Sequence, residues 1–367
     1  MQERVHLVTG ATGFLGSVLA LELLGQPDER VVCLARPGDD PAEAERRVRA
    51  SLERAAGATL QRGLLRGAWT RLRVVPGDIC QDLCGVAPER AGRVSHVWHS
   101  AATLRFEPEL EGEIHAHNVG GTQQVLELAR QLGAERFCYV STAYVAGARS
   151  GRALEALCPV DAPVHNAYER SKILAERTVA ESGLDYLIFR PSIVIGPSKT
   201  AVPAGSDSGF YGYIRRLISL KRLARRQDRL ADLDRLFLPG DPEAALDLIP
   251  VDAVVHNAVA IDRLGSDDRI FHLTNAAPPR VAEAARVIGR RLGISGPHFH
   301  AGPAQGPYAE QIESHMQFFL SYLAGGKVFD RRHTDAVVGA EASLWPLYAE
   351  GLDRYVDGYV RTVERRV

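Results

Sequence analysis

No stretch of this sequence approaches the eighteen or so consecutive apolar residues that a membrane-spanning helix requires. Neither charge is in surplus: 44 Lys and Arg stand against 45 Asp and Glu, a formal net charge of −1. That balance argues against general affinity for nucleic acid or for anionic membrane surfaces. Cysteine is scarce, limited to Cys33, Cys80, Cys84, Cys138 and Cys158. An odd number in so long a chain argues against a disulfide scaffold. No second Cys or His pair follows Cys80 and Cys84 at zinc spacing, so no metal site is expected. Cys33 and Cys138 lie in apolar runs and read as core. There is no internal repeat and no low-complexity segment. Residues 1–4 carry neither the apolar stretch nor the cleavage site of a signal peptide, and a cytoplasmic protein is expected.

What is present is globular: 46% apolar and 24% charged residues over 367 positions, enough for one large α/β unit or two domains sharing a core. The first half alternates strand and helix patterns. Apolar runs at Val5–Val8, Arg30–Leu34, Leu72–Val75, Val94–Trp98, Phe137–Val140 and Tyr186–Phe189 read as strands. Helical patterns run to about Leu24, over 41–56, from about Ile114 to Leu132, and through Tyr168 to about Ser182. This alternation predicts an α/β fold, a doubly wound parallel sheet with helices on both faces and right-handed crossovers. After Pro191 the pattern changes. Residues 196–210 are rich in Gly, Pro and Ser, Arg215–Arg229 is a strongly basic helical stretch, and Arg269–Leu273 is a late strand returning to the sheet. The rest, from 280, is mainly helical. The expected division is a sheet domain at 1–198, with 236–278 returning to it, and a smaller, mainly helical substrate-binding cap at 199–235 and 279–367.

Two signals carry chemistry. Thr9-Gly10-Ala11-Thr12-Gly13-Phe14-Leu15-Gly16 is a glycine loop at the first strand–helix junction. Its glycines permit a tight turn, a close approach of backbone to phosphates, and packing of the helix on the sheet. The helix N-terminus then offers free N–H groups to a dinucleotide pyrophosphate. Gly10, Thr12, Gly13, Phe14 and Leu15 are therefore cofactor candidates. Downstream, Tyr168 and Lys172 form a Tyr-x-x-x-Lys pair on one helix face. An ammonium beside a phenol lowers the phenol pKa and gives a proton donor usable near neutral pH. Loop and pair together predict hydride transfer from a nicotinamide dinucleotide. Strand two ends in Leu34-Ala35-Arg36 with no acidic residue, and an arginine there can pair with a 2′-phosphate, which favours NADPH. Asp78 follows strand three, placed to meet the adenine amino group. Ser100-Ala101-Ala102 follows strand four, small enough for the cofactor to pass close to the backbone.

These residues together resemble the extended short-chain dehydrogenase/reductase superfamily over about residues 4–275, which implies a Rossmann sheet. Asn118-Val119-x-Gly-Thr122 and Arg190-Pro191-Ser192-Ile193-Val194-Ile195-Gly196 support the resemblance. A narrower likeness, to the fatty acyl-CoA reductase and thioester reductase branch (male-sterility type), rests on His99–Phe106, Val140–Gly147 and Leu248-Ile249-Pro250-Val251-Asp252. One departure is Ile173, where that branch usually carries tryptophan after the lysine. The resemblance implies that Thr142 holds the substrate carbonyl oxygen, that Tyr168 donates the proton, and that Lys172 binds the nicotinamide ribose. It adds Ile79, Pro191 and Ile193 to the cofactor site.

On this reading the protein reduces an acyl thioester, bound to a carrier protein or coenzyme A, to an aldehyde and onward to an alcohol if a second hydride follows. Competing readings are a ketone or aldehyde reductase acting on a natural product or lipid, a nucleotide-sugar epimerase or dehydratase, and a dinucleotide sensor without chemistry. His99 is expected to be a hydrogen-bonded core histidine, Asn118 to be structural, and His115 and His117 to point apart. Arg215–Arg229 reads either as a solvated helix face or as a docking surface for an acidic acyl carrier protein or coenzyme A phosphates.

Overall fold

The apolar runs of the first half pair into one seven-stranded parallel sheet in a computed structural model that describes residues 4–40, 42–203, 205–300, 302–309, 322–323, 326–347 and 349–364, the last range without the side chain of residue 349. Its strands are β1 (Arg4–Thr9), β2 (Glu29–Ala35), β3 (Leu72–Pro76), β4 (His96–His99), β5 (Arg136–Val140), β7 (Asp185–Pro191) and β11 (Ile270–Leu273). Short strands β6 (Gly151–Ala153), β8 (Ile193–Ile195), β9 (Phe237–Pro239), β10 (Leu248–Pro250), β12 (His298–His300) and β13 (Lys327–Phe329) pair two by two outside it. The sheet order is β11-β7-β5-β4-β1-β2-β3, so the chain reverses direction across the sheet between β1 and β4. In an open α/β sheet that switch point leaves a crevice at the carboxyl ends of the strands.

Both faces of the sheet are covered, which is why its strands are mostly apolar, with His6, His96, His99, Arg190 and His272 as buried polar exceptions. Helices Phe14–Leu24, Glu43–Ala58 and Val251–Leu264 bury Leu19, Leu52 and Val255 on one face. Helices Gly121–Gln131 and Ala167–Ala180 bury Val125, Leu128 and Val179 on the other. The 41–56 helix expected from sequence begins at Glu43; Pro41 lies outside the described residues. The long helix expected from about Ile114 to Leu132 is interrupted. It runs as α over Glu111–His115, as a π turn over Ala116–Gly120, then as α again. The cause is Asn118, whose side chain leaves the helix surface to bond the backbone of Thr103 and the hydroxyl of Ser171.

A second apolar cluster gathers Phe210, Ile214, Leu217, Val281, Ile288 and Tyr359 from helices Gly209–Arg226, Val281–Leu292 and Ala349–Glu364. Leu236, Leu238 and Leu246 belong to this cluster, so the segment leading into β10 packs with the cap residues. Conversely, helix Arg332–Val338 sits against β11 and helix Val251–Leu264. Part of the expected cap, 310–321, lies outside the described residues. Among the described residues, no helix is long and apolar enough to cross a membrane.

Candidate active site

The turn after β1 is built for close contact. Gly10 has φ +76°, and a Cβ there would stand 2.8 Å from the backbone nitrogen of Ala101 and 2.9 Å from the Ser100 carbonyl carbon. Only glycine fits at this crossing of β1 and β4. A Cβ on Gly16 would stand 2.2 Å from the Gly10 carbonyl oxygen, so the first helical turn packs directly on the loop. Gly13 caps helix Phe14–Leu24 without a side-chain hydrogen bond. The first helical N–H groups are therefore left for an anion, and a dinucleotide pyrophosphate fits this cradle.

Arg36, Asp78 and Ile79 lie at the ends of β2 and β3. Arg36 is exposed. Asp78 Oδ1 accepts the Cys80 N–H at 3.0 Å, an Asx turn, and Ile79 packs on Gly121. Burial and the Arg36 guanidinium hold the His117 pKa down, against an opposing pull from Asp78. Arg36, Asp78 and a neutral His117 thus share one end of the crevice.

The other end opens into a cavity of about 320 Å³ beneath the cap. Gly10, Gly13, Phe14, Leu15, Ser100, Ala102, Thr142, Tyr168, Lys172, Pro191 and Ile193 all line it. Thr12, Arg36, Asp78, Ile79 and Ala101 do not. Thr12 is exposed at the loop, and the Ala101 N–H donates to Thr9 Oγ1 at 3.2 Å. Sequence reasoning did not single out the cap side of the wall, which includes Phe210, Tyr213, Leu246, Ala285, Ile288 and Phe299. No local pattern marks such residues, because they come from four separate segments.

Helix Ala167–Ala180 starts at Asn166, whose side chain accepts the Glu169 N–H at 2.9 Å, while the Glu169 carboxylate accepts the His165 N–H at 2.8 Å. This fixes the first turn and with it Tyr168, which is buried edge-on to Phe106 at 5.5 Å between ring centroids. Lys172 is buried one turn later. Its ammonium donates to Tyr139 Oη at 2.6 Å and to the Val140 carbonyl at 2.8 Å. The expectation that this ammonium lowers the Tyr168 pKa is corrected here. Burial, with Glu169 adding to it, pushes the Tyr168 phenol up, while burial brings Lys172 down to about 7 against the pull of Glu176. A shared helix face placed both groups in the cavity, but the lysine's hydrogen bonds are made to β5.

Thr142 Oγ1 accepts the Tyr144 N–H at 3.2 Å and caps the short helical turn Ala143–Ala146. That bond uses an oxygen lone pair and leaves the hydroxyl proton to donate into the cavity. His99 is buried and bonded on both ring nitrogens, to Thr9 Oγ1 at 2.7 Å and Thr122 Oγ1 at 3.1 Å. Burial and the Lys172 charge hold it neutral, with a pKa of about 3. All five cysteines are free thiols, and Cys33 and Cys138 are buried.

Helix Gly209–Arg226 spans two environments. Phe210 and Tyr213 face the cavity from its first turns, while Arg216, Arg222, Arg225 and Arg226 are exposed, with no ion pair among the described residues. Arg215 pairs with Asp207 at 3.9 Å, Arg229 with Asp232 at 2.5 Å, and Lys221 is tied to the Leu292 carbonyl.

Known proteins place this arrangement in a family. The NAD-binding family described as male sterility protein matches residues 8–258. Glycine betaine reductase ATRR of Emericella nidulans is 31% identical over 222 residues, 55% of this chain and 16% of that protein. CG8303 of Drosophila melanogaster, whose name assigns it as a fatty acyl-CoA reductase, is 28% identical over 371 residues, 88% of this chain and 64% of that one. The chain therefore spans less than two thirds of either relative. Among solved structures, the terminal R domain of the myxalamid PKS-NRPS pathway superposes with TM-score 0.75 at 26% identity, over 99% of this chain and 92% of that one. A thiolation-reductase di-domain from an archaeal non-ribosomal peptide synthetase gives TM-score 0.73 at 19% identity, over 100% and 92%. The sheet order, the glycine cradle and the family match agree: the chain belongs to the male sterility protein family, within the extended short-chain dehydrogenase/reductase enzymes that use a nicotinamide dinucleotide.

Proposed function

We propose that the protein is an NADPH-dependent reductase of acyl thioesters that holds an apolar acyl group under its cap. One observation carries this reading. A single cavity joins the glycine loop, Thr142, Tyr168 and Lys172 to the wall built by Phe210, Tyr213, Leu246, Ile288 and Phe299. Lys172 is the one charged side chain in that wall among the described residues. A space this apolar suits a hydrocarbon chain better than an aminoacyl or sugar group.

The dinucleotide, when bound, supplies the hydride. The residues of this chain do the rest. Gly10, Gly13 and the helix start at Phe14 hold the pyrophosphate, Arg36 takes the 2′-phosphate, and Asp78 the adenine. Lys172 binds the nicotinamide ribose. As hydride adds to the thioester carbon, the carbonyl electron pair moves onto oxygen. The hydroxyls of Thr142 and Tyr168 stabilise that oxyanion, a contribution typically about 3–4 kcal/mol per donor. Collapse of the adduct breaks the C–S bond, and the departing thiolate takes up a proton as free thiol. The aldehyde can accept a second hydride, Tyr168 then giving its proton to the alkoxide. The exposed arginines of helix Gly209–Arg226 serve as the docking face for an acidic acyl carrier protein, since the same helix lines the cavity.

Anaerobic incubation with NADPH and a panel of acyl-CoA and carrier-bound thioesters tests this reading by thiol release. One thiol per NADPH marks reduction to aldehyde, and one per two marks alcohol. Oxidation of NADPH by a ketone, with no thiol from any thioester, would replace this reading with that of a carbonyl reductase.

A further inference from the structure

Lys172 is held by a strand residue that no sequence motif marked. Its ammonium lies 2.6 Å from the hydroxyl of Tyr139 and 4.1 Å from the centroid of the same ring. Tyr139 is buried in β5 and does not line the cavity. Beside it runs a chain of hydrogen bonds whose directions can be assigned one by one. Thr9 Oγ1 accepts the N–H groups of Ser100 and Ala101, both at 3.2 Å, so its own proton goes to His99 Nδ1 at 2.7 Å. Neutral His99 therefore carries its proton on Nε2 and donates it to Thr122 Oγ1 at 3.1 Å. Thr122 donates to the Asn118 carbonyl at 2.6 Å. Its proton is thus committed, and neutral His99 packs against the Tyr139 ring at 5.6 Å between centroids. The phenol oxygen accepts from Lys172, and the uncharged imidazole beside the ring does not compete for it.

We propose that Tyr139 is a positioning residue for Lys172: its phenol oxygen, held in β5, accepts from the ammonium, aims it and favours its charged form. This rests on the reductase reading above and deepens it. With two N–H bonds committed to Tyr139 and Val140, the lysine has one N–H left for a ribose hydroxyl. The other groups facing Lys172 are few. Glu176 lies on its own helix and His99 on β4. Glu176 is already bound by Arg190 at 2.6 Å, and His99 is neutral, so the phenol oxygen is the nearest fixed acceptor from a side chain.

The sequence makes a direct measurement practical, because the only lysines are Lys172, Lys199, Lys221 and Lys327. Full-length protein labelled with 13C at lysine Cε gives four resonances, and Lys172→Met assigns the one in question. In the wild-type protein it should titrate near 7. Tyr139→Phe keeps the ring but removes the acceptor, and should lower that midpoint by about one pH unit, tenfold in the protonation equilibrium. The alkaline limb of kcat should move down by the same amount, with KM for the acyl substrate unchanged. If Tyr139→Phe does not accumulate as folded protein, Tyr139→Met serves, since it also removes the acceptor and should lower the midpoint. A folded variant whose Lys172 resonance and alkaline limb both stay at their wild-type positions overturns the proposal, and uniform loss of rate at every pH would assign Tyr139 to packing. A wild-type enzyme silent toward every thioester would instead sink the reductase reading and leave the resonance titration standing.

Discussion

Acyl-chain selectivity gives the sharpest handle on the cavity. Ala285 lies on helix Val281–Leu292 and lines the cavity without being fully buried, unlike its neighbour Ala284. A phenylalanine at 285 can therefore enter the acyl space without forcing apart the cap core. In the wild-type enzyme each methylene buried against Phe210, Leu246 and Ile288 should contribute about 0.8 kcal/mol, close to fourfold in kcat/KM per carbon, until the space is full. The added ring occupies the room of roughly four methylenes, so chains that reached past residue 285 should lose about 3 kcal/mol, on the order of 200-fold. Acetyl and propionyl thioesters should be unaffected. The assay is kcat/KM for NADPH oxidation across a homologous acyl-CoA series, wild type against Ala285→Phe, with Tm measured on both. An equal fall for every chain length, or a flat wild-type profile, would refute the assignment of this space to an acyl chain.

Tyr168→Phe should reduce thiol release by about 10²–10³-fold while NADPH binding, followed by fluorescence, stays within about twofold. Arg36→Ala should raise Kd for NADPH by about tenfold, the equivalent of one charge-assisted hydrogen bond, and leave NADH binding unchanged; isothermal titration with both cofactors reads it. Charge reversal at Arg222 and Arg226 should weaken turnover of carrier-bound substrate and spare free short-chain thioesters, and an equal fall in both would exclude docking at this face. Stability should fall in mild acid. His99 and His272 are buried, with burial the main cause of pKa values of about 3 in both. A folded-state pKa below the unfolded value of about 6.5 gives stability that is present above 6.5 and lost as pH falls toward 3. Each histidine should cost about 2 kcal/mol between pH 7 and pH 5, and chemical denaturation at the two pH values measures the sum.

Much of the sheet and of the cofactor cradle could be read from sequence, because both depend on local rules. Strands buried on two faces should be mostly apolar, and β1, β2, β5 and β7 are, with His6 and Arg190 as buried polar exceptions. Gly10 is forced by a left-handed turn against the backbone of Ser100 and Ala101. The Tyr-x-x-x-Lys spacing correctly put two side chains into one cavity. It failed on what they touch, because helical spacing orders residues along their own helix and says nothing of the strand underneath. The π turn at Ala116–Gly120 escaped detection for a similar reason: Asn118 is drawn out by Thr103 and by Ser171, fifty-three residues away.

By itself the sequence indicated the alternation of strands and helices in the first half, the glycine turn after β1, and a phenol, an ammonium and a hydroxyl that come to line one cavity. Those follow from periodicity and from backbone sterics, which act within a few residues. Only the tertiary structure decided that Lys172 bonds Tyr139, that burial raises the Tyr168 phenol, and that four distant segments close an apolar chamber over the site. Desolvation and hydrogen-bond direction depend on every group packed around an atom, and that surrounding exists only once the cap and the sheet have folded against each other.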